Sequence, residues 1–185
     1  MIWLVLGVLL WMAAHYFKRL VPDVRASLGN AGKGLVAVLL VGAIVLMVIG
    51  YKAADDVPLW DLGGWAFNVN NALMLMAVAF FGLGNSKSRL RENIRHPMLT
   101  GFLVWVVAHL LVNGDLASLV LFGGLGLWAL GAFVLINRAE PDYEPWQGGT
   151  RQGDIRLVII SIVVFAVIVG VHYLIGPSPF PGAAA

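Results

Sequence analysis

The chain has 185 residues, of which 60% are hydrophobic and 12% are charged, and its formal net charge is +2. A typical soluble domain is about 25% charged, so this composition indicates a protein whose main surroundings are lipid. The small net charge argues against nucleic acid as a partner. The sequence has no cysteine, which excludes disulfides, thiolate catalysis, cysteine-ligated metals and c-type haem attachment. Four histidines remain as candidate metal ligands.

Six apolar stretches without Asp, Glu, Lys or Arg follow one another along the chain. A membrane-spanning helix needs about 17–25 apolar residues, and in lipid a span must be helical because only a helix satisfies its own backbone groups. We therefore predict an all-α fold, a polytopic transmembrane helix bundle of about six helices that forms a single transmembrane domain over residues 1–185. The predicted spans are Ile2–Phe17, Gly34–Tyr51, Phe67–Gly84, Pro97–Asn113, Leu116–Ile136 and Leu157–Ile175.

The basic residues divide unequally between the two sides of these spans. The first, third and fifth connections carry four, four and three Lys or Arg residues, which is eleven of the twelve in the chain. The second connection carries only Lys52, beside three aspartates. By the positive-inside rule the odd-numbered connections are cytoplasmic. The sequence thus predicts a multi-pass protein of the bacterial inner (cytoplasmic) membrane with both termini in the periplasm.

The four histidines are the unusual groups in this apolar chain, because an ionisable residue at membrane depth indicates function. In the predicted topology, His15 and His96 lie near the cytoplasmic side, and His109 and His172 lie near the outer side. Imidazole is the usual axial ligand of membrane haem b, and two imidazoles must approach the iron from opposite faces at similar depth. Similar depth in the membrane therefore allows two possible ligand pairs, His15 with His96 or His109 with His172.

The binding of two stacked haems is the weaker interpretation of these histidine positions. His96 and His109 are 13 residues apart, which is about 20 Å along an α-helix. The same 13 steps leave their side chains about 140° apart around the helix axis, so the two histidines do not share a face.

A second candidate site lies in the third connection, around Arg91, Arg95 and His96. Arginine can donate two parallel hydrogen bonds to an anion, so haem propionates, lipid phosphate or a nucleotide-like cofactor are candidate ligands. The competing interpretation is that these arginines only follow the positive-inside rule. His96 precedes Pro97, and proline suits the first position of a helix, so His96 is equally expected to cap that helix at the membrane surface.

Two motifs resemble a known family. The run Arg95-His96-Pro97-Met98 is followed by Ala108-His109-Leu110-Leu111-Val112-Asn113-Gly114-Asp115. This pairing resembles the NnrU family of bacterial membrane proteins over nearly the whole chain. Members of the family are associated with denitrification, through nitrite and nitric oxide reductases, and the family is related to plant 15-cis-zeta-carotene isomerase, a haem b membrane enzyme.

The resemblance implies that His15 and His109 are the haem b ligands. This pair differs from both pairs that share a predicted membrane depth. The plant enzyme also uses a cysteine one turn before the second histidine, where this chain has Val106. The Arg-His-Pro motif is more distantly similar to that of membrane methyltransferases, in which it helps to hold S-adenosylmethionine.

The leading functional interpretation is a haem b-binding inner-membrane protein that supports nitrogen-oxide metabolism, with the lipid bilayer and a nitrite or nitric oxide reductase system as partners. Three alternatives stay open at this point. They are a haem-dependent isomerase or redox enzyme acting on a lipophilic, carotenoid-like substrate, a methyltransferase-like membrane enzyme, and a non-catalytic membrane protein whose histidines only cap and pack.

Overall fold

The computed structural model describes residues 1–176 and 178–180 and forms seven helices in these ranges. They are α1 (Ile2–Leu20), α2 (Pro22–Ser27), α3 (Gly29–Lys52), α4 (Trp65–Leu83), α5 (Pro97–Val112), α6 (Leu116–Ala139) and α7 (Arg151–Ile175). A 3₁₀ turn, Arg89–Asn93, precedes α5, and α6 contains one π-helical turn, Leu119–Gly123. The described residues contain no β-strand, only an isolated bridge between Pro58 and Asp115. The predicted all-α fold is confirmed.

The predicted spans correspond to α1, α3, α4, α5, α6 and α7. Four of these, α3, α4, α6 and α7, are long and apolar enough to cross a membrane. Helix α1 ends in Lys18 and Arg19, and α5 has only 16 residues, so for these two helices the crossing stays a prediction. The short α2 was not predicted, because six residues are too few for a periodic pattern to be recognised.

Most helices extend beyond their apolar stretches. Helix α7 begins at Arg151, six residues before the predicted span, because the Thr150 hydroxyl accepts a hydrogen bond from the Gly153 N–H and caps the helix. At its other end α7 stops at Ile175, before the proline-rich tail, as proline geometry requires. Residues 177 and 181–185 of that tail lie outside the described residues.

Contacts within the chain divide it into two compact units. The first unit comprises Met1–Trp60 and Asn113–Pro141, and the second comprises Asp61–Val112 and Asp142–Ala185. The expectation of a single transmembrane domain stays a prediction.

In the first unit, α1 packs against α3 at glycines. A Cβ atom on Gly7 would lie 2.7 Å from the Met47 backbone nitrogen, and one on Gly50 would lie 2.6 Å from Leu4 Cα. Small residues at such crossings let membrane helices approach until their backbones touch. Helix α6 joins this pair through Gly124, where a Cβ would lie 2.7 Å from a methyl group of Val8.

The two ends of the first unit are fixed by polar contacts. At one end Arg19 forms an ion pair of 2.8 Å with Glu140. At the other end, the segment before α6 pairs with the segment after α3, as the Leu116 N–H donates to the Val57 carbonyl at 2.9 Å. Asp115 caps α6 by accepting from the Ser118 N–H at 2.8 Å.

In the second unit, α4 packs against both α5 and α7. A Cβ on Gly101 of α5 would lie 2.8 Å from Phe80 Cβ, and one on Gly82 of α4 would lie 3.2 Å from Leu157 of α7. The connection between α4 and α5 is held to the start of α7 by Asp154, whose carboxylate accepts from the Ser88 hydroxyl and from the Arg89 backbone and side chain.

Candidate functional site

His15 lies in the first unit between two tryptophans. Its ring centroid is 4.2 Å from that of Trp11, one turn earlier on α1, and 4.5 Å from that of Trp128 on α6. The Nδ1 atom of His15 lies 3.0 Å from the Trp11 carbonyl oxygen. The neighbouring Tyr16 hydroxyl donates to the Trp128 carbonyl at 2.7 Å, which fixes α6 against α1 beside the histidine.

His109 has the same local arrangement in the second unit. Its ring centroid is 4.6 Å from that of Trp105, one turn earlier on α5, and its Nδ1 atom lies 2.9 Å from the Trp105 carbonyl oxygen. The runs Trp11-Met-Ala-Ala-His15 and Trp105-Val-Val-Ala-His109 share the pattern Trp-x-x-Ala-His. In both, the alanine before the histidine is buried. The sequence analysis missed this repeated pentapeptide, which is shorter than the repeats that define a fold.

His172 on α7 shares part of this arrangement. Its Nδ1 atom lies 2.9 Å from the Ile168 carbonyl oxygen, and no tryptophan precedes it by one turn. His172 belongs to the same compact unit as His109. The outer pair that the depth argument allowed stays a prediction.

These three bonds fix the tautomer of each histidine. A carbonyl oxygen can only accept a hydrogen bond, so Nδ1 must carry the proton in His15, His109 and His172. In the neutral ring Nε2 then holds a lone pair. Metal-ligating histidines are usually oriented in this way, by a hydrogen bond from the other ring nitrogen to a backbone carbonyl.

His96 has a different position, outside any helix. It precedes Pro97, the first residue of α5, and its carbonyl accepts from the Thr100 N–H and hydroxyl, each at 2.9 Å. The residue therefore stands where a helix N-cap is expected. His96 and His109 lie at opposite ends of α5, which agrees with their predicted separation.

The two arginines of the predicted anion site stack on aromatic rings. The Arg91 guanidinium lies 4.4 Å from the centre of the Trp146 ring, and the Arg95 guanidinium lies 4.6 Å from the centre of the Tyr143 ring. Arg91 also donates to the Ser86 carbonyl at 3.1 Å. These contacts give both arginines a structural role in attaching the segment before α7. The sequence analysis missed the two aromatic partners, since cation–π pairs between distant segments leave no spacing pattern.

The oriented histidines have the chemistry of haem ligands rather than of a site for a bare metal ion. Among the described residues there is no group of three or more His, Cys, Asp and Glu side chains that could hold a metal ion. Haem iron needs only one or two ligands from the protein, and neutral imidazoles coordinating through Nε2 could provide them.

Fold and site together define a class: a helical membrane protein with oriented histidines in apolar helices and positively charged connections. Within this class, the chain belongs to the NnrU family, whose family model, described as NnrU protein, matches residues 3–179. Neither the curated proteins nor the solved structures contain a significant match to the chain.

Proposed function

We propose that this protein is a haem b-binding protein of the inner membrane with a supporting role in nitrogen-oxide metabolism. The observation that carries the proposal is the repeated Trp-x-x-Ala-His arrangement at His15 and His109. Each unit carries one copy, and in each copy the ring is held against an indole with Nδ1 bonded to a carbonyl. These are also the two histidines that the family resemblance implies as ligands.

Each part of the arrangement has a definite effect on an axial ligand. The indole restricts rotation of the imidazole, and the Nδ1 hydrogen bond makes Nε2 the coordinating atom and raises its basicity. Haem held by two histidines supplies a low-spin centre suited to electron transfer or redox sensing. In this proposal the two histidines bind and orient the cofactor, and membrane helices exclude water from it.

A second ligand pair, His109 with His172, is favoured by a separate observation. Both residues belong to the second unit, and their predicted depths agree. His172 lacks the stacked tryptophan but has the same Nδ1 bond. The partner reductase system and the periplasmic position of both termini belong to the proposal, and the isomerase-like and methyltransferase-like alternatives stay predictions.

The test is the absorption spectrum of protein purified from haem-replete cells. We expect a Soret band that His15→Ala and His109→Ala each alter or abolish. A band that survives His15→Ala and disappears in His172→Ala would establish the outer pair instead. A colourless wild-type protein that takes up no added haem would refute haem binding, and with it the proposed function.

A further inference from the structure

A short helix in the first unit, α2, exposes apolar side chains where α1 and α3 are connected. Two breaks in the helical backbone separate it from its neighbours, at Val21 (φ −134°, ψ 63°) and at Gly29 (φ 50°). Val21, Val24 and Leu28 are all exposed, and their spacing of three and then four residues places them on one face of the helix. With six residues, α2 is about 9 Å long and cannot cross a membrane.

The depth of α2 in the membrane follows from the helix that it precedes. Helix α3 is long and apolar enough to cross a membrane, and it has no charged residue between Lys33 and Lys52. The hydrocarbon layer therefore begins near Lys33, which is four residues, or about 6 Å, into the helix. A layer of lipid headgroups is roughly 5–8 Å thick. Helix α2, which ends just before Gly29, thus lies at the level of the headgroups.

The segment around α2 carries an excess of positive charge. Lys18 and Lys33 are exposed, and neither forms an ion pair with a described residue. Arg19 is paired with Glu140 and contributes no net charge. The other charged residues between positions 18 and 33 are three basic and one acidic, namely Lys18, Arg25, Lys33 and Asp23.

Arg25 attaches α2 to the beginning of α3. Its Nη1 atom donates to the Gly29 carbonyl at 3.2 Å. A Cβ on Gly32 would lie 2.6 Å from the same nitrogen and 2.9 Å from Leu28 Cβ, so the end of α2 packs directly on the first turn of α3. The spanning helix therefore holds α2 at the headgroup level.

We propose that α2, together with Lys18 and Lys33, binds the headgroups of anionic phospholipids. The apolar face enters the boundary between headgroups and acyl chains, and the lysines pair with lipid phosphates. Zwitterionic lipids carry no net charge, so anionic lipids complement this positive surface better. The opposite end of α3 has Lys52 followed by two aspartates, which removes such complementarity there. The inference concerns the lipid surface and goes beyond the proposed haem function.

The test uses the fact that the chain has no cysteine, which makes Val24→Cys a single labelling site on the apolar face. The full-length variant carries an environment-sensitive fluorophore at position 24. It is reconstituted into nanodiscs of phosphatidylcholine alone, or of phosphatidylcholine mixed equally with phosphatidylglycerol. Both kinds of disc contain a little phosphatidylcholine with a spin label in its acyl chain, which quenches a fluorophore buried in the membrane. We expect stronger quenching and a blue-shifted emission in the anionic discs.

Three substitutions in this labelled protein test the role of charge. A basic residue near an anionic surface favours the bound state by about fivefold, so Lys18→Gln with Lys33→Gln should remove most of the difference in quenching between the two lipid mixtures. Lys52→Gln is the matched control, because it removes one charge from the other end of α3 and should leave the difference unchanged. Ser27→Lys adds a positive charge at an exposed position of α2. It should reach the same quenching at a lower fraction of phosphatidylglycerol, a gain that misfolding cannot produce.

The proposal is overturned if the label is quenched equally in the two lipid mixtures, or if the double lysine variant behaves as its parent does. A label that remains in water in both mixtures would also overturn it, and would favour an acidic protein as the partner of the positive surface. Haem content is read from the Soret band of the same samples, so failure of the haem proposal is seen separately.

Discussion

The close contact between α1 and α3 predicts a large effect for Gly50→Ala. An added Cβ would lie 2.6 Å from Leu4 Cα and 2.8 Å from the Trp3 carbonyl carbon, with the Leu4 backbone nitrogen closer still. Carbon atoms pack best at about 3.5–4.0 Å, so the two helices would have to separate by about 1 Å. The obstructing atoms are backbone and cannot rotate away. Separation would also loosen the second close contact of this pair, between Gly7 and Met47.

The expected cost follows from two opposing terms. Overpacking of this kind costs about 1–3 kcal/mol, and a backbone obstruction belongs at the upper end of that range. Alanine is favoured over glycine within a helix by about 1 kcal/mol. Gly34 lies on the same helix, and a Cβ added there has no atom within 4 Å. Gly34→Ala therefore gains the helix preference of alanine without the cost of overpacking. The free energies of unfolding of the two variants should therefore differ by about 2–3 kcal/mol.

The assay is unfolding of the purified protein in mild detergent micelles by added SDS, followed by circular dichroism. Gly50→Ala should unfold at a lower SDS fraction than the wild type, and Gly34→Ala at the same or a higher one. Equal midpoints for the two alanine variants would refute the backbone contact between α1 and α3.

Three further predictions concern topology, a buried hydrogen bond and the predicted anion site. Reporter fusions after Lys52 and at the C-terminus should both report the periplasm, and a cytoplasmic signal at either place would contradict the six-span topology. Tyr51→Phe removes the 2.7 Å hydrogen bond to the buried Ser118 hydroxyl, so SDS unfolding should show a loss of about 0.5–1.5 kcal/mol, whereas an unchanged midpoint would mean that the bond is absent. Arg95→Gln should reduce haem content after purification while leaving membrane insertion intact, and unchanged content would assign Arg95 only the structural role that its stacking on Tyr143 provides.

The helices were predictable because lipid imposes a simple constraint on sequence. A span must be apolar over its length and must be helical, so the long apolar stretch within Leu116–Ala139 predicts a helix at that place in the chain. Helix ends were less predictable, because they depend on local caps. The extension of α7 back to Arg151 requires the Thr150 cap and the close approach of Gly153 to the Lys87 carbonyl, which no apolar pattern encodes.

The candidate site was predictable only in its residue types. Histidines stand out in an apolar chain, but their partners depend on how distant helices pack. The contact of His15 with Trp128 joins residues more than a hundred positions apart. The Trp-x-x-Ala-His repeat is the exception. Its stacking is local to one helical turn, so the sequence contains it in full.

The shared orientation of the three helical histidines leads to a last prediction, which is independent of any cofactor. Each Nδ1–H group donates to the carbonyl one turn earlier in its own helix, so His15, His109 and His172 should all be the Nδ1–H tautomer when neutral. The ¹⁵N spectrum of histidine-labelled protein in micelles separates the two tautomers, because protonated and unprotonated ring nitrogens resonate far apart. The alanine variants of the three histidines assign the signals. An Nε2–H signal from any of the three would show that its lone pair points toward the helix backbone. That histidine could then not present Nε2 to haem iron.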